Sequence, residues 1–307
     1  MNVLIIGLGS IANKHIHALR TLYQHINIYA LRSGIIANEI IGVKNIYSLD
    51  DLPDPIDFVI ISNSTNLHYE SIQKMIEYGI PIFVEKPVVH DLQSIIKLDK
   101  ILYNNSTFNY VACNLRFNPC LQFLKSELKD KLHTINEVNV YCGSYLPDWR
   151  PGKDFRQIYS ANASMGGGVN LDLFHELDYT CWIFGNPMRH KGYVSSTSTL
   201  DITAADYANY LLSYSNFNVS IILNYYRRKA KRSIEILFEN DTWTVDLIKN
   251  SIKNDQGEVI IDHHNFEISS TYVDQLHYFI TCLEAKRKPM NTILESVEIL
   301  RICLNNE

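Results

Sequence analysis

The sequence of 307 residues, 46% hydrophobic and 20% charged, carries enough apolar material for a sizeable core, which excludes a disordered chain and favours two domains over one. A formal charge of -5 gives no basic face of the kind that nucleic acid or an anionic membrane surface requires. The expected partner is a small molecule, with no nucleic acid and no membrane.

From the N-terminus, short apolar strands over 2–6, 26–31, 57–61, 81–84 and 110–113 alternate with helix-period segments such as 12–22 and 67–78. That alternation predicts a parallel sheet covered on both faces, a doubly wound α/β (Rossmann) domain. Beyond Pro119 the pattern changes. A helix reaching 128 leads to a strand over 137–145, a loop containing Pro, Gly and Trp, and a helix over 169–184. Strands over 193–198, 207–214, 219–226, 233–238 and 242–247 follow, some separated at Asn216 and at Asn240-Asp241. They predict an α+β domain with a large, mostly antiparallel sheet. Helices over 272–285 and 294–303, separated at Lys288-Pro289, close the chain. The expected division is a nucleotide-binding domain over 1–117 and a substrate and oligomerisation domain over 118–307.

Six scattered cysteines, with no CxxC pair and no metal-like Cys/His spacing, read as reduced thiols, and no metal is expected. Met1 runs straight into an apolar strand without a charged leader, and no apolar run reaches ~18 residues, so a cytoplasmic location is expected.

Gly7-Leu8-Gly9-Ser10-Ile11-Ala12 follows the first strand and opens the first helix, the setting in which G-x-G-x-x-G/A binds a dinucleotide. Gly7 permits the tight turn, Gly9 lets the backbone approach a pyrophosphate, and Ala12 packs closely, while N–H groups at the helix start, around Ser10 and Ile11, face the anion. A tight turn alone is the competing explanation. At the end of the second strand, Leu31-Arg32-Ser33 offers no carboxylate for a ribose hydroxyl. The Arg32 guanidinium and the Ser33 hydroxyl suit a 2'-phosphate, so NADP(H) is expected ahead of NAD(H). The competing role for Arg32 is a solvated strand end stacking on adenine.

Glu85-Lys86-Pro87 follows the strand ending at Val84, at the edge where an open α/β sheet presents its ligands. Gly166-Gly167-Gly168 opens a segment in which Asp172, His175, Glu176 and Asp178 concentrate titratable groups on an otherwise apolar helix. Asp172 and His175 share a face there by i,i+3 spacing. Ordinary helix-start charges plus one satisfied histidine would leave the same pattern.

Together these motifs resemble the glucose-fructose oxidoreductase and inositol dehydrogenase (Gfo/Idh/MocA) family over nearly the whole chain. Ser62 to His68 is similar to that family's loop after the fourth strand, and Asn114-Leu115-Arg116-Phe117 to its domain-junction segment. The resemblance implies an NAD(P)-dependent enzyme acting on CH-OH groups, with Ser62, Asn63, His68, Glu85, Lys86 and Asn114 joining the glycine loop around the cofactor. It also implies a cis Lys86-Pro87 peptide, Lys86 close to the reacting oxygen, and Asp172 and His175 completing the site. The family commonly separates its Asp and His by four residues, whereas three separate them here. Either the helix register shifts or one role is displaced, with Glu176 as the fallback. On this basis His175 exchanges the proton of the substrate oxygen, Lys86 stabilises developing alkoxide charge, and Asp172 orients substrate or imidazole.

Within the loop over 144–156, Trp149 offers an apolar face for a pyranose or a base, and Arg150, Lys153 and Arg156 suit a carboxylate or phosphate. A sugar, amino sugar or nucleotide sugar is the expected substrate, and the segment is similar to that of family members from bacterial surface-polysaccharide pathways. Trp149 could instead anchor its own loop, with the basic residues paired locally. A second basic run, Arg227-Arg228-Lys229 with Lys231-Arg232, reads as a solvated strand edge. The family likeness further implies a homodimer or homotetramer through the C-terminal sheet. Two other readings fit the scaffold: a non-catalytic dinucleotide-binding regulator, against which Lys86 and His175 argue, and a biliverdin-reductase-like enzyme, which would need a flat apolar cleft.

Overall fold

A computed structural model describes residues 1–34, 39–52 and 55–305. The chain forms two compact units, one made of Met1–Asn114 and Ile268–Val297, the other of Leu115–Glu267 and Glu298–Glu307.

The first unit runs β1 (Asn2–Ile6), α1 (Ser10–Leu22), β2 (Asn27–Leu31), β3 (Val43–Ile46), β4 (Phe58–Ile61), α2 (His68–Glu77), β5 (Ile82–Glu85), α3 (Leu92–Tyr103) and β6 (Asn109–Ala112). Its six strands are all parallel, in the order β3-β2-β1-β4-β5-β6. Strand order reverses beside β1, so the turn leaving β1 and the loop leaving β4 flank a crevice at the carboxyl ends of the strands. Helices cover both faces, which is why β4 and β5 are buried along their whole length and read as unbroken apolar runs. β3 escapes a reading by hydrophobic pattern because its sequence, Val-Lys-Asn-Ile, is half polar, as befits the sheet edge.

The second unit contains α4 (Pro119–Glu127), β7 (Ile135–Tyr145), α5 (Val169–Asp172), α6 (His175–Phe184), β8 (Arg189–Ser195), β9 (Tyr207–Ser213), β10 (Asn218–Asn224), β11 (Tyr226–Phe238), β12 (Thr242–Asp246), β13 (Ser251–Lys253) and β14 (Val259–Asp262). The eight strands lie in the order β14-β13-β12-β11-β7-β10-β9-β8, antiparallel throughout except where β7 meets β10. One face is packed and the other open: on β9, Ala208, Tyr210 and Leu212 are buried while Leu211 between them is half exposed.

Three expectations need correction. The single helix over 169–184 is two, because Leu173 leaves helical geometry (φ -96°, ψ 32°) after α5 and α6 restarts at His175. Asp172 and His175 therefore do not share one continuous helical face. The basic run 227–232 lies inside β11 and is not uniformly solvated, since Arg232 pairs with a buried carboxylate described below. Helix α7 (Ser270–Glu284), assigned by sequence to the second domain, belongs to the first unit. Its Leu276, Phe279 and Ile280 share one buried cluster with Val3, Ile16, Phe58 and Phe83, and the Phe279 ring stands edge-on to Phe58 at 5.1 Å and to Phe83 at 5.3 Å. Periodicity shows that α7 has an apolar face but not which sheet receives it. The last helix, α8 (Ile293–Leu304), is divided between the units at Val297 and Glu298.

All six cysteines are buried thiols. No described helix is long and apolar enough to cross a membrane.

Candidate functional site

In the first unit the site is built on the turn after β1. Gly7 has φ +90°, and a Cβ on it would lie 2.3 Å from the Asn63 Cα, so only glycine lets this turn press against the loop leaving β4. Ser62 fastens the two together, its Oγ donating to the Gly7 carbonyl at 2.8 Å and its N–H to the Ile6 carbonyl at 2.8 Å. Nothing lies within 4 Å of where a Gly9 Cβ would stand, so the space over the turn is open. Gly9 also begins α1 without a side-chain cap, and the first turn, from exposed Ser10 to buried Ala12, holds no acidic residue. Such a helix end, with unsatisfied N–H groups and no competing carboxylate, attracts phosphate.

At the end of β2, Arg32 donates its backbone N–H to the Ile46 carbonyl at 2.9 Å, beside exposed Ser33. Its side-chain Nη1 is buried with no hydrogen-bond partner among the described residues. Leaving such a donor unsatisfied costs about 1–3 kcal/mol or more, a cost that a phosphate oxygen would remove. The Asn63 Oδ1 is likewise buried without a partner there, while its Nδ2 donates to Ser71 Oγ at 3.0 Å. The orphaned polar atoms, the open space over Gly9 and the bare helix start together fit a dinucleotide.

Glu85, Lys86 and Pro87 leave the carboxyl end of β5, and the Lys86-Pro87 peptide is cis. Glu85 does not point to solvent: its Oε1 lies 2.6 Å from Nε2 of His15, which is fully buried on α1 and stands edge-on to Phe83 and Tyr272. His68, also buried, places Nδ1 3.1 Å from the Pro87 carbonyl and Nε2 3.1 Å from the Asn63 carbonyl. Burial holds its pKa below the ordinary value, against the opposing pull of these carbonyls and the Glu85 charge. A neutral imidazole has one N–H to give, so one of the two carbonyls accepts it while the other nitrogen faces the second carbonyl. Asn114 is similarly occupied, its Nδ2 donating to Thr271 Oγ1 at 2.7 Å.

In the second unit Asp172 accepts a hydrogen bond from the Tyr225 hydroxyl at 2.5 Å. Burial raises the Tyr225 pKa well above its ordinary value and the Asp172 charge adds to the rise, so the phenol stays protonated and donating. Trp149 stands edge-on to Tyr225 at 5.3 Å and donates from Nε1 to Ser144 Oγ at 2.9 Å. Trp149, Tyr225 and Asp172 thus form one cluster. His175, partly buried, opens α6. Arg150 and Arg156 are exposed, Arg156 lying over the Phe155 ring at 4.5 Å, and neither makes an ion pair among the described residues.

The two remaining carboxylates of this segment are structural. Glu176 accepts from Arg232 Nε at 2.6 Å and Nη2 at 3.1 Å, and Asp178 from Arg116 Nε at 2.9 Å and Nη2 at 2.7 Å. These bidentate pairs clamp the start of α6 from two directions. Glu176 faces Arg232 and so is withdrawn as the fallback for the displaced role.

Sequence reasoning missed His15, Tyr225 and the pairing roles of Arg116 and Arg232. For His15 a signal existed: it interrupts the apolar stripe Ala12, Ile16, Leu19 of α1. For Tyr225 and Arg232 there was none, since their partners lie 53 and 56 residues away.

With this geometry described, comparison with known proteins identifies the scaffold. Residues 1–111 match the Gfo/Idh/MocA family, described as an oxidoreductase family with an NAD-binding Rossmann fold. That match lies within the first unit and covers just over a third of the chain. An uncharacterised oxidoreductase of Streptococcus pneumoniae serotype 4 is 37% identical over 153 residues, which are 48% of this chain and 40% of that protein. The chain thus spans less than half the length of that relative. Among solved structures, myo-inositol 2-dehydrogenase from Lactobacillus plantarum superposes with a TM-score of 0.79 at 19% identity, covering 99% of this chain and 95% of that one. The WlbA dehydrogenase from Bordetella pertussis, in complex with NADH and UDP-GlcNAcA, gives 0.80 at 18% identity, covering 98% and 93%. At these identities the likeness is one of fold, and it extends over both units.

Proposed function

We propose that this chain is a member of the Gfo/Idh/MocA family and an NADP(H)-dependent oxidoreductase that moves hydride to or from a secondary alcohol or ketone of a sugar, amino sugar or nucleotide sugar. The observation that carries the reading is Lys86 at the carboxyl end of β5, next in the sheet to β4, whose loop packs against the glycine turn. Bound there, a nicotinamide dinucleotide supplies the hydride donor or acceptor. The Lys86 ammonium hydrogen-bonds the substrate oxygen and stabilises charge that develops on it. His175 takes or gives the proton of that oxygen, and Asp172, held by Tyr225, orients the substrate or the imidazole. Trp149 serves the sugar ring and Arg150 and Arg156 an anionic substituent.

The inositol dehydrogenase and the UDP-GlcNAcA complex among the structural relatives support a polyol or nucleotide sugar as substrate, and a place in bacterial surface-glycan synthesis is part of the proposal. The open face of the eight-stranded sheet, with half-exposed Leu211, supports assembly into a homodimer or homotetramer. A panel of polyols and nucleotide sugars assayed with both dinucleotides by nicotinamide absorbance tests the activity. Dinucleotide binding with no turnover anywhere on the panel would point to a regulator instead.

The buried Arg32 Nη1 and the lack of a carboxylate at the end of β2 support NADP(H) over NAD(H). Arg32→Asp is expected to lower the NADP(H)-to-NAD(H) ratio of kcat/KM by on the order of tenfold or more, because a favourable charge contact becomes a repulsive one. An unchanged ratio would remove Arg32 from cofactor discrimination.

A further inference from the structure

The residues on either side of Lys86 each meet a fully or almost fully buried histidine, His15 or His68. A buried imidazole must be compensated by hydrogen bonds, whereas an apolar side chain in the same space would not. One nitrogen of each faces a residue beside the lysine: His15 Nε2 lies 2.6 Å from Glu85 Oε1 and His68 Nδ1 3.1 Å from the Pro87 carbonyl, while His15 Nδ1 has no partner among the described residues. Because a carboxylate only accepts, the His15 Nε2 must carry the proton in that contact. The second nitrogen of His68 lies 3.1 Å from the Asn63 carbonyl, so the imidazole sits between two carbonyls and donates its one N–H to one of them; a Cβ on Gly7 would collide with Asn63, and Ser62 Oγ closes on the Gly7 carbonyl. From Gly7 the chain enters α1, which carries His15. The contacts therefore form a closed ring inside the first unit: glycine turn, His15, Glu85, Lys86-Pro87, His68, Asn63 with Ser62, and back to the turn.

We propose that His15 and His68 are positioning residues that lock the Glu85-Lys86-Pro87 segment to the glycine turn, so that a dinucleotide on the turn and the lysine beside it are placed by one set of contacts. This rests on the reading of Lys86 as the catalytic lysine and goes beyond it by assigning its placement to His15, a residue of the cofactor helix. His15 acts through Glu85; His68 acts from its place between the Pro87 and Asn63 carbonyls.

The test is a double-mutant cycle on His15→Leu and Glu85→Gln, read as the dissociation constants of NADPH and NADH by fluorescence titration of the purified protein. Each single variant is expected to weaken the preferred dinucleotide by about tenfold, the scale of one charge-assisted hydrogen bond. The double variant should be no weaker than the worse single, because both changes remove one shared contact. His15→Gln, which retains a donor, should recover part of the loss; it also replaces His15→Leu in the cycle if that variant does not fold. A merely structural histidine would lower the melting temperature and leave the binding losses multiplicative. Multiplicative losses, or wild-type affinity in His15→Leu, overturn the proposal. Coupled losses together with full turnover by Lys86→Ala would leave the brace standing and remove the catalytic reading of the lysine. A parent protein that binds neither dinucleotide overturns both.

Discussion

Replacing Lys86 with alanine is expected to lower kcat by ~10²- to 10⁴-fold while dinucleotide affinity stays within a few-fold of the parent. The magnitude follows from asking the ammonium to stabilise charge that appears on the substrate oxygen only as the reaction proceeds. Removing it raises the barrier without removing ground-state binding. The split between kcat and affinity follows from the local structure. Glu85 remains held by His15 and His68 stays packed between the Pro87 and Asn63 carbonyls, so truncation beyond Cβ leaves the segment in place. Steady-state kinetics on the best substrate of the panel, with a dinucleotide titration alongside, makes the check. Turnover within a few-fold of the parent would show that the lysine does not act on the reacting oxygen. His175→Ala is the companion measurement, and a loss of similar size is expected if the imidazole moves the proton.

Asp178→Ala is expected to destabilise the protein by about 3–5 kcal/mol, read as a lowered midpoint in chemical denaturation. Asp178 and Arg116 are both buried and share two hydrogen bonds, at 2.9 and 2.7 Å. Losing the carboxylate leaves a guanidinium charge in the interior opposite an apolar methyl group. A loss of that size is a large part of the ~5–15 kcal/mol by which folded domains are stable. Replacing both partners with apolar residues of similar volume should recover much of it, because the penalty belongs to the uncompensated charge and not to the missing pair. A single variant within about 1 kcal/mol of the parent would mean that water or another carboxylate compensates Arg116.

In the first unit the candidate residues were legible because their signals are local. Gly7 to Ala12 sit between an apolar strand and a helix-period stretch, and Glu85-Lys86-Pro87 directly follows another strand. In the second unit they were less legible. Its glycine entry and titratable cluster were visible, yet Asp172, Glu176 and Asp178 look alike in sequence and differ only in what faces them: Tyr225, Arg232 and Arg116. A carboxylate 62 residues from its guanidinium leaves no periodic trace of the pairing. The break at Leu173 was hidden too, since no proline or glycine lies between Val169 and Phe184 to mark it.

By itself, the sequence determined the two architectures, the order of most elements, the glycine turn and the lysine after β5. Periodicity, turn chemistry and strand-end motifs are properties of residues a few positions apart. Only the tertiary structure decided that α7 joins the first unit, that His15 holds Glu85, and that two of the carboxylates on α6 brace the helix by binding arginines. Those outcomes depend on which buried polar group finds a partner across the core, and burial makes a partner obligatory without specifying it in the neighbouring sequence.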